Sequence, residues 1–213
     1  MSQDKDAIIA HYRALLAEHG SGAKVLQYAD DATQAARYDV LCGIARPLGS
    51  VLDVGCGLAH LHRYLRGLGD GAGYLGVDIV PEFVEIARDS LADDPLADAA
   101  LIDGQDALPT GYDYALLSGV FNNAMDDNWG FATTTLRRMW AAADKGIAFN
   151  AMTSHVDYFD PGLWYVDPMK MFEFCKRDLG GHPVLRHDYT LRPGGFPFEF
   201  AMYVYKSPRA SNA

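Results

Sequence analysis

A short buried strand that runs directly into a glycine turn constrains this chain more than any other feature. Residues 50–54 are apolar and rich in β-branched side chains, which is typical of a strand covered on both faces. Gly55 and Gly57 follow at once, and apolar residues at helical spacing begin at Leu58. A strand, a glycine loop and a helix N-terminus in this order predict a nucleotide-cofactor site at the edge of an α/β sheet.

The residues around the two glycines narrow the class of cofactor. A dinucleotide fingerprint requires a third glycine where this chain has His60. The turn instead follows an acid inside the strand, which gives Asp53-x-Gly55-x-Gly57 with Ala59 in the place of a further glycine. This pattern resembles the class I S-adenosylmethionine-dependent methyltransferases, in which an acid and Gly-x-Gly-x-Gly wrap the amino-acid end of the cofactor. The alternative to a cofactor loop is a tight turn in another kind of α/β protein, and the rest of the sequence is needed to distinguish the two.

Length and composition suit one globular α/β domain. The chain has 213 residues, of which 49% are hydrophobic and 12% aromatic. It contains no apolar run of membrane-spanning length and does not begin like a signal peptide. The three cysteines form neither a zinc pattern nor an evident disulfide pair, so we expect a cytoplasmic protein. The net charge of −10 argues against a nucleic-acid partner.

Two helices are predicted ahead of the glycine loop, and we expect residues 1–46 to form a helical cap segment. The first covers residues 4–19, and the second is capped by Asp30 or Asp31. In the family that this chain resembles, such helices often cover the active site. The resemblance therefore makes three residues candidates for the acceptor side, with packing or solvated roles as the alternative: Tyr28, Gln34 and Arg37.

The second predicted strand, residues 74–78, ends in an acid at Asp78, which lies 21 residues after Gly57. An acid at the tip of the neighbouring strand can accept hydrogen bonds from both ribose hydroxyls of a nucleotide cofactor. Dehydrogenases and methyltransferases share this device, so it supports the fold more than the identity of the cofactor. We place Cys56 and Ile79 in the same cofactor site.

The third predicted strand, residues 99–103, also ends in an acid. The resemblance assigns Asp103, Gly104 and Gln105 to the adenine of the cofactor. Asp106 is an alternative for the acid, and Asp103 is preferred because it would directly end the strand. A turn-forming aspartate before glycine is the structural alternative for either residue.

The fourth predicted strand, residues 112–117, begins with Tyr-Asp, a familiar feature of the same family. The resemblance implies that the loop after this strand lies beneath the sulfonium and faces the acceptor. We assign Ser118 and Gly119 of this loop to the cofactor, and Phe121 and Asn122 to the acceptor.

The end of the chain distinguishes the fold from an ordinary dinucleotide domain. A fifth strand at 146–150 and a helix at 168–179 are followed by two strands in direct succession, 184–191 and 198–205. Successive strands imply an antiparallel edge. The expected fold is therefore a Rossmann-like α/β methyltransferase domain over residues 47–206. The resemblance implies a seven-stranded, mostly parallel sheet with an antiparallel C-terminal strand, helices on both faces and extra N-terminal helices.

Residues 154–165 follow the fifth strand and are rich in aromatic side chains without any periodicity. Because ligands bind at the carboxyl ends of strands in open α/β sheets, we expect this segment to form a lid or pocket wall. His155 is the candidate general base, although a lone histidine in a loop is more often structural. Tyr158, Trp164 and Tyr165 are candidates to line the acceptor pocket. Weaker candidates lie on the closing strands: His187 and Glu199.

The sequence thus predicts transfer of a methyl group from S-adenosylmethionine to an oxygen or nitrogen of a small-molecule acceptor, with S-adenosylhomocysteine as the product. We expect no metal, nucleic-acid or membrane partner, and a monomer or a homodimer. Two alternatives stay open: a Rossmann-type nucleotide-cofactor oxidoreductase, and a non-catalytic protein that binds S-adenosylmethionine.

Overall fold

One mixed sheet organises the part of the chain that the computed structural model describes, residues 2–20, 22–26, 30–104 and 106–208. The strand order is β3-β2-β1-β4-β5-β8-β7, and the short strand β6 pairs with the end of β5. The strands are β1 Val51–Val54, β2 Tyr74–Asp78, β3 Ala97–Leu101, β4 Tyr112–Leu117, β5 Ala143–Thr153, β6 Tyr165–Val166, β7 His182–Arg186 and β8 Glu199–Tyr205.

Strand β8 runs antiparallel to both of its neighbours, β5 and β7, whereas β1 to β6 pair in parallel. The predicted fold class is confirmed, including the antiparallel strand at the C-terminal side of the sheet. The two-residue strand β6 brings the described sheet to eight strands, one more than predicted.

Six α-helices and one short 3-10 helix accompany the sheet within the described residues. They are α1 Ser2–His19, the 3-10 helix Ala23–Leu26, α2 Asp31–Cys42, α3 His60–Gly67, α4 Pro81–Leu91, α5 Asn128–Ala142 and α6 Pro168–Arg177. Asp30, and not Asp31, caps α2, because its carboxylate accepts a hydrogen bond from Thr33 N at 2.7 Å.

The two faces of the sheet are covered by different helices, as the alternation of side chains along each strand requires. Leu52 and Leu117 face a cluster that includes residues of α5 and α6. Their chain neighbours Val51 and Leu116 face a second cluster that includes residues of α2, α3 and α4. Each fully buried leucine or valine contributes about 1.5–3 kcal/mol relative to an exposed one, so the two clusters hold the sheet between its helical layers.

A third apolar cluster places the N-terminal segment at the carboxyl edge of the sheet. Val25 and Leu58 are buried in it together with Val80 and Phe83, and partly buried side chains of α1 pack against them. The segment therefore lies across the loops that follow β1 and β2.

Several element boundaries differ from the predicted ones. Strand β3 ends at Leu101, so the prediction that Asp103 directly ends the strand is wrong. Strand β5 starts directly after α5 and is longer at both ends than predicted, because it pairs with β4 from Ala143 and with β8 as far as Met152. Strand β7 ends at Arg186, five residues early, because it is the edge strand and the chain beyond it turns away from β8.

Candidate active site

The carboxyl ends of β1 to β5 lie at one edge of the sheet, and the predicted site residues come together in the loops that leave it. Helix α2 and the 3-10 helix, which precede β1 in the chain, pack near the same edge.

The glycine loop after β1 has backbone angles and neighbours that exclude side chains. Gly55 and Gly57 have φ values of 75° and 53°, in the left-handed region. A Cβ atom on Gly55 would lie 2.3 Å from Val120 Cγ2, and one on Gly57 would lie 2.6 Å from Leu26 Cδ2. Both glycines are therefore required by conformation and by close packing, as in a loop that lets a ligand approach the backbone.

Ala59 stands where the family pattern has a further glycine, and it adopts the conformation of one. Its φ of 58° and ψ of 32° place it in the left-handed region at the start of α3. An alanine there is disfavoured by about 1–2 kcal/mol relative to the right-handed region. The loop geometry of the glycine pattern is thus kept despite the substitution.

Asp53 and Asp78 lie side by side, buried beneath this loop. Tyr74 Oη donates to Asp53 Oδ2 at 2.7 Å. Burial raises the pKa of Asp53 to about 7 against an ordinary value of 3.8; the Tyr74 hydrogen bond opposes this rise, and the Asp78 charge adds to it. The Asp53 carboxylate therefore faces Tyr74 inside the sheet, and its assignment to the cofactor site stays a prediction.

Asp78 links the second strand to the glycine loop. Its Oδ2 accepts from Gly57 N at 2.8 Å, and its Oδ1 accepts from Val80 N at 3.0 Å. Burial raises the pKa of Asp78, and these backbone donors oppose the rise. Each carboxylate oxygen can still accept a further hydrogen bond, as two ribose hydroxyls would require.

The remaining predicted residues on this side of the edge are placed as follows. The thiol of Cys56 is buried and faces β2, where a Cβ on Gly76 would lie 2.7 Å from it. Burial raises the pKa of this thiol well above the usual value.

Ile79 lies against Gly104, whose φ is 45°. Asp103 N donates to Asp106 Oδ2 at 2.9 Å, so the Asp106 carboxylate stabilises the turn after β3. Gln105 lies outside the described residues.

A buried polar network joins α2 to the loop after β4. Arg37 Nε donates to Glu199 Oε2 at 2.7 Å, with side chains only 8% and 2% exposed. Glu199 Oε1 accepts from Tyr189 Oη at 3.0 Å and from Asn150 Nδ2 at 3.3 Å. Asn150 Oδ1 in turn accepts from Gly119 N at 2.8 Å. Arg37, expected on the acceptor side, therefore belongs to a structural ion pair that helps to fix the cofactor loop.

The loop after β4 contains both a core residue and an exposed face. Ser118 and Gly119 are half-buried, and Gly119 has a φ of 76°. Phe121 is 1% exposed and packs edge-on against Phe131 and Phe149, so the expectation that it lines the acceptor pocket is corrected to a packing role. Asn122 is half-buried, and its enclosed Oδ1 has no hydrogen-bond partner among the described residues.

Backbone hydrogen bonds attach the base of the 154–165 segment to the sheet and to the loop after β4. Trp164 N donates to Asn122 O at 2.8 Å, Ala124 N to Gly162 O at 2.9 Å, and Ser154 N to Val166 O at 3.0 Å. The side chain of Trp164 packs against the core cluster on the α5 and α6 face. The base of the segment is therefore fixed.

The tip of this segment, residues 155–161, is largely exposed and aromatic. Tyr158 is 74% exposed and Phe159 is 52% exposed. The Phe159 ring lies 4.9 Å from that of Tyr165, whose hydroxyl accepts from Asp160 N at 3.1 Å. The predicted acceptor-side aromatics thus divide between a packed base and an open tip.

His155 lies at the beginning of the tip with most of its side chain in solvent. Its Nε2 is 4.0 Å from Asp167 Oδ1, and its ring centroid is 6.3 Å from that of His187. Its side chain therefore lies on the solvent-exposed side of the sheet edge. Tyr28 falls outside the described residues.

Two features of this edge were missed in the sequence. Asn150 is a buried polar residue inside an apolar strand, and this contrast was the available signal for its role. Leu26 carries no signal, because an isolated leucine in a short helix does not indicate that it covers a glycine loop.

Within the described residues, no helix combines the length and the apolarity that crossing a bilayer requires. The same described residues contain no group of three or more histidine, cysteine or acidic side chains that could hold a metal ion.

Comparison with known proteins places this edge in context. Residues 52–145 match the family model described as "Methyltransferase domain". Over 167 residues the chain is 34% identical to "Putative methyltransferase Rv1506c" of Mycobacterium tuberculosis, covering 74% of this chain and 93% of that protein.

Solved structures of low sequence identity share the fold. Magnesium protoporphyrin IX methyltransferase from Synechocystis PCC 6803 with bound SAM is 17% identical, with a TM-score of 0.62 over 82% of this chain and 80% of that one. Human N-acetylserotonin methyltransferase in complex with SAM is 17% identical, with a TM-score of 0.59 over 84% of this chain and 52% of that one.

Proposed function

Because the chain belongs to the class I S-adenosylmethionine-dependent methyltransferases, we propose that it methylates an oxygen or nitrogen atom of a small-molecule acceptor. Membership of this family favours a methyltransferase over both alternatives left open by the sequence, the oxidoreductase and the non-catalytic binding protein. The proposal rests on one observation about the carboxyl edge of the sheet. The glycine loop, hydrogen-bonded to the buried Asp78, lies at the same edge as the exposed aromatic tip at 155–161.

The cofactor half of the edge fits S-adenosylmethionine. Gly55 and Gly57 adopt positive φ, and Val120 and Leu26 fill the space that their Cβ atoms would need, so the loop keeps the tight conformation that we assign to the cofactor. Asp78 is held by two backbone donors and retains acceptor capacity for ribose hydroxyls. We assign the ribose to Asp78, the adenine side to Ile79, Asp103 and Gly104, and the amino-acid end to the glycine loop.

When bound, the cofactor supplies a methyl group that is already activated by a positively charged sulfur. The protein therefore has to align the acceptor atom and exclude water. Gly119 is held by Asn150 at 2.8 Å, which fixes the loop that we place beneath the reacting centre. Asn122 adds an enclosed side-chain oxygen without a partner on the same loop, suited to accept a hydrogen bond from a hydroxyl or amine of the acceptor.

The exposed tip of the 154–165 segment supports the acceptor side of the proposal. Tyr158 and Phe159 leave large aromatic surface in solvent, more than a turn of this length needs for its own packing. Closure of these side chains over an acceptor would remove water from the edge. Two of the structural relatives carry the name of a small molecule, magnesium protoporphyrin IX and N-acetylserotonin.

His155 is the side chain that we propose as general base, if the acceptor atom carries a proton. Its side chain is exposed, so it can change rotamer toward an acceptor. Asp167 is close enough to orient the ring when the tip closes. Such a role predicts that replacement of His155 by alanine lowers turnover of an acceptor that must lose a proton and leaves the affinity for S-adenosylhomocysteine unchanged.

The test is a screen of phenols, carboxylic acids and amines with S-adenosylmethionine carrying a labelled methyl group. Transfer of label to a small molecule by the parent protein, and loss of transfer in Asp78→Asn, are expected. Label found only in protein or nucleic acid added as a competing acceptor would contradict the proposal. The acidic net charge of −10 supports a small-molecule acceptor over nucleic acid, and we propose a monomer or homodimer without a membrane partner.

A further inference from the structure

Gln34 on α2 carries a donor that the protein itself does not use. The residue is 3% exposed, and its Oε1 lies 3.0 Å from His60 Nδ1. Its Nε2 is enclosed by protein and has no hydrogen-bond partner among the described residues. A buried donor without a partner is rare in folded proteins because its lost hydration is not compensated. The amide is therefore expected to meet a partner that arrives from outside the chain.

We propose that Gln34 Nε2 binds the carboxylate at the amino-acid end of the cofactor, with His60 positioning the amide. This inference rests on the proposed function, since it assumes that S-adenosylmethionine occupies the edge. It adds a cofactor contact from the N-terminal helices, which lie outside the residues that match the methyltransferase family model.

The position of Gln34 agrees with the direction in which the cofactor must lie. His60 is the first residue of α3 and directly follows the glycine loop. Asp78 ends β2, on one side of β1, whereas α2 packs against α3, β5 and β8 on the other side. A cofactor with its ribose at Asp78 and its chain along the glycine loop therefore extends its amino-acid end toward α2.

The chemistry of the amide selects the carboxylate over the ammonium of the amino-acid end. An amide nitrogen only donates hydrogen bonds, so it complements an anion and cannot serve the ammonium. The cation nearest along the helix, Arg37, is already paired with Glu199 at 2.7 Å. A neutral donor facing the carboxylate also avoids burying another full charge beside Asp53 and Asp78.

The experiment compares two ligands by isothermal titration calorimetry: S-adenosylhomocysteine and its decarboxylated analogue, which keeps the amine. Gln34→Met preserves the side-chain volume and removes the donor. It should weaken S-adenosylhomocysteine about 10- to 100-fold and change the decarboxylated analogue by about twofold or less. Gln34→Glu should weaken S-adenosylhomocysteine further, by repulsion, without weakening the decarboxylated analogue.

Asp39→Asn is the matched control, because Asp39 lies on the same helix in an exposed ion pair with Arg46. It should leave both affinities unchanged. Gln34→Met should lower the unliganded melting temperature slightly, because it also removes the Oε1 atom that lies 3.0 Å from His60 Nδ1, and this loss is common to both titrations. Equal losses for the two ligands, or no loss for either, would overturn the inference while the proposed function stands. A parent protein that binds neither ligand would overturn both.

Discussion

The two halves of the active-site edge are built in opposite ways. On the cofactor half, Asp53 and Asp78 are almost fully buried, and their hydrogen bonds go to Tyr74, Gly57 and the backbone after β2. On the acceptor half, the base of the 154–165 segment is held by backbone bonds, and its tip leaves aromatic side chains in solvent. The first half resembles a folded core and the second a surface loop, although both line one edge.

This contrast teaches where specificity can reside. A cofactor common to a whole family can be bound by groups whose positions are fixed before it arrives, because the ligand never changes. An acceptor that differs between family members is better bound by exposed side chains, because these can be substituted without loss of stability. The buried Arg37–Glu199 pair and Asn150 lie between the halves and connect them.

The largest expected effect comes from breaking this connection. Glu199→Gln would leave the Arg37 guanidinium buried without a counter-charge, and the free energy of unfolding should fall by about 3–5 kcal/mol. Urea denaturation measures the change. Glu173→Gln, which removes an exposed helical pair with Arg177, should change stability by about 0.5 kcal/mol or less.

The same connection can be replaced to separate stability from positioning. Changing both Arg37 and Glu199 to methionine removes the two charges together and should restore most of the lost stability. The double variant should still bind the cofactor less tightly than the parent, because Asn150 loses the carboxylate that orients it toward Gly119. A Glu199→Gln protein as stable as the parent would mean that the pair is not the link between the halves.

The next effect tests the fixed half alone. Asp78→Asn removes the charge that would accept from ribose hydroxyls and should weaken S-adenosylhomocysteine about 30- to 150-fold, or about 2–3 kcal/mol. The unliganded protein should also lose some stability, since Gly57 N and Val80 N donate to this carboxylate. Calorimetric titration gives the affinity, and the exposed Asp89→Asn on α4 is the control. Unaltered affinity in Asp78→Asn would remove the ribose assignment.

A third prediction concerns the pH dependence of the buried half. The pKa of Asp53 is about 7 in the folded protein and 3.8 ordinarily, so the unfolded chain releases this proton first as pH rises. Stability contributed by neutral Asp53 is therefore complete below pH 4 and is lost between about pH 4 and pH 7. Asp53→Asn should gain on the parent by on the order of 2 kcal/mol between pH 5 and pH 8.

Thermal or urea unfolding of both proteins at the two pH values checks this difference, in which the other titrating groups cancel. A stability difference between Asp53→Asn and the parent that stays constant with pH would show that Asp53 ionises normally within the fold.

The smallest effect is expected on the exposed half. Tyr158→Ala should lower kcat/KM for the acceptor about fivefold, or about 1 kcal/mol, because one wall of the closed site is lost. Its stability and its affinity for S-adenosylhomocysteine should match the parent within about 0.5 kcal/mol, since the side chain is 74% exposed. A Tyr158→Ala protein that is destabilised as strongly as Glu199→Gln would show that the tip belongs to the folded core.

The sequence predicts the buried half far better than the connection between the halves. Gly55, Gly57 and Asp78 follow strands in a fixed local pattern, so their meeting at one edge follows from the fold class alone. Asn150 and Glu199 are 49 residues apart, and Arg37 and Glu199 are 162 apart. Nothing local in the sequence specifies that these side chains meet.

Two misplacements have similar physical causes. Phe121 follows a strand that ends in a functional loop, and an aromatic residue there could equally face an acceptor or fill the core; the space between Phe131 and Phe149 decides for the core. Asp103 was expected to end β3, but a strand boundary depends on the partner strand, and the pairing of β2 with β3 ends at Leu101.

The base of the 154–165 segment has one further consequence, for divergence and engineering. It is anchored by main-chain groups of Ser154, Gly162 and Trp164, and main-chain bonds form with almost any side chain. The seven residues between these anchors can therefore be exchanged as a cassette without disturbing the sheet. Related chains could acquire new acceptors by substitution or length change at 155–161, and a designer could transplant a foreign loop at the same two boundaries.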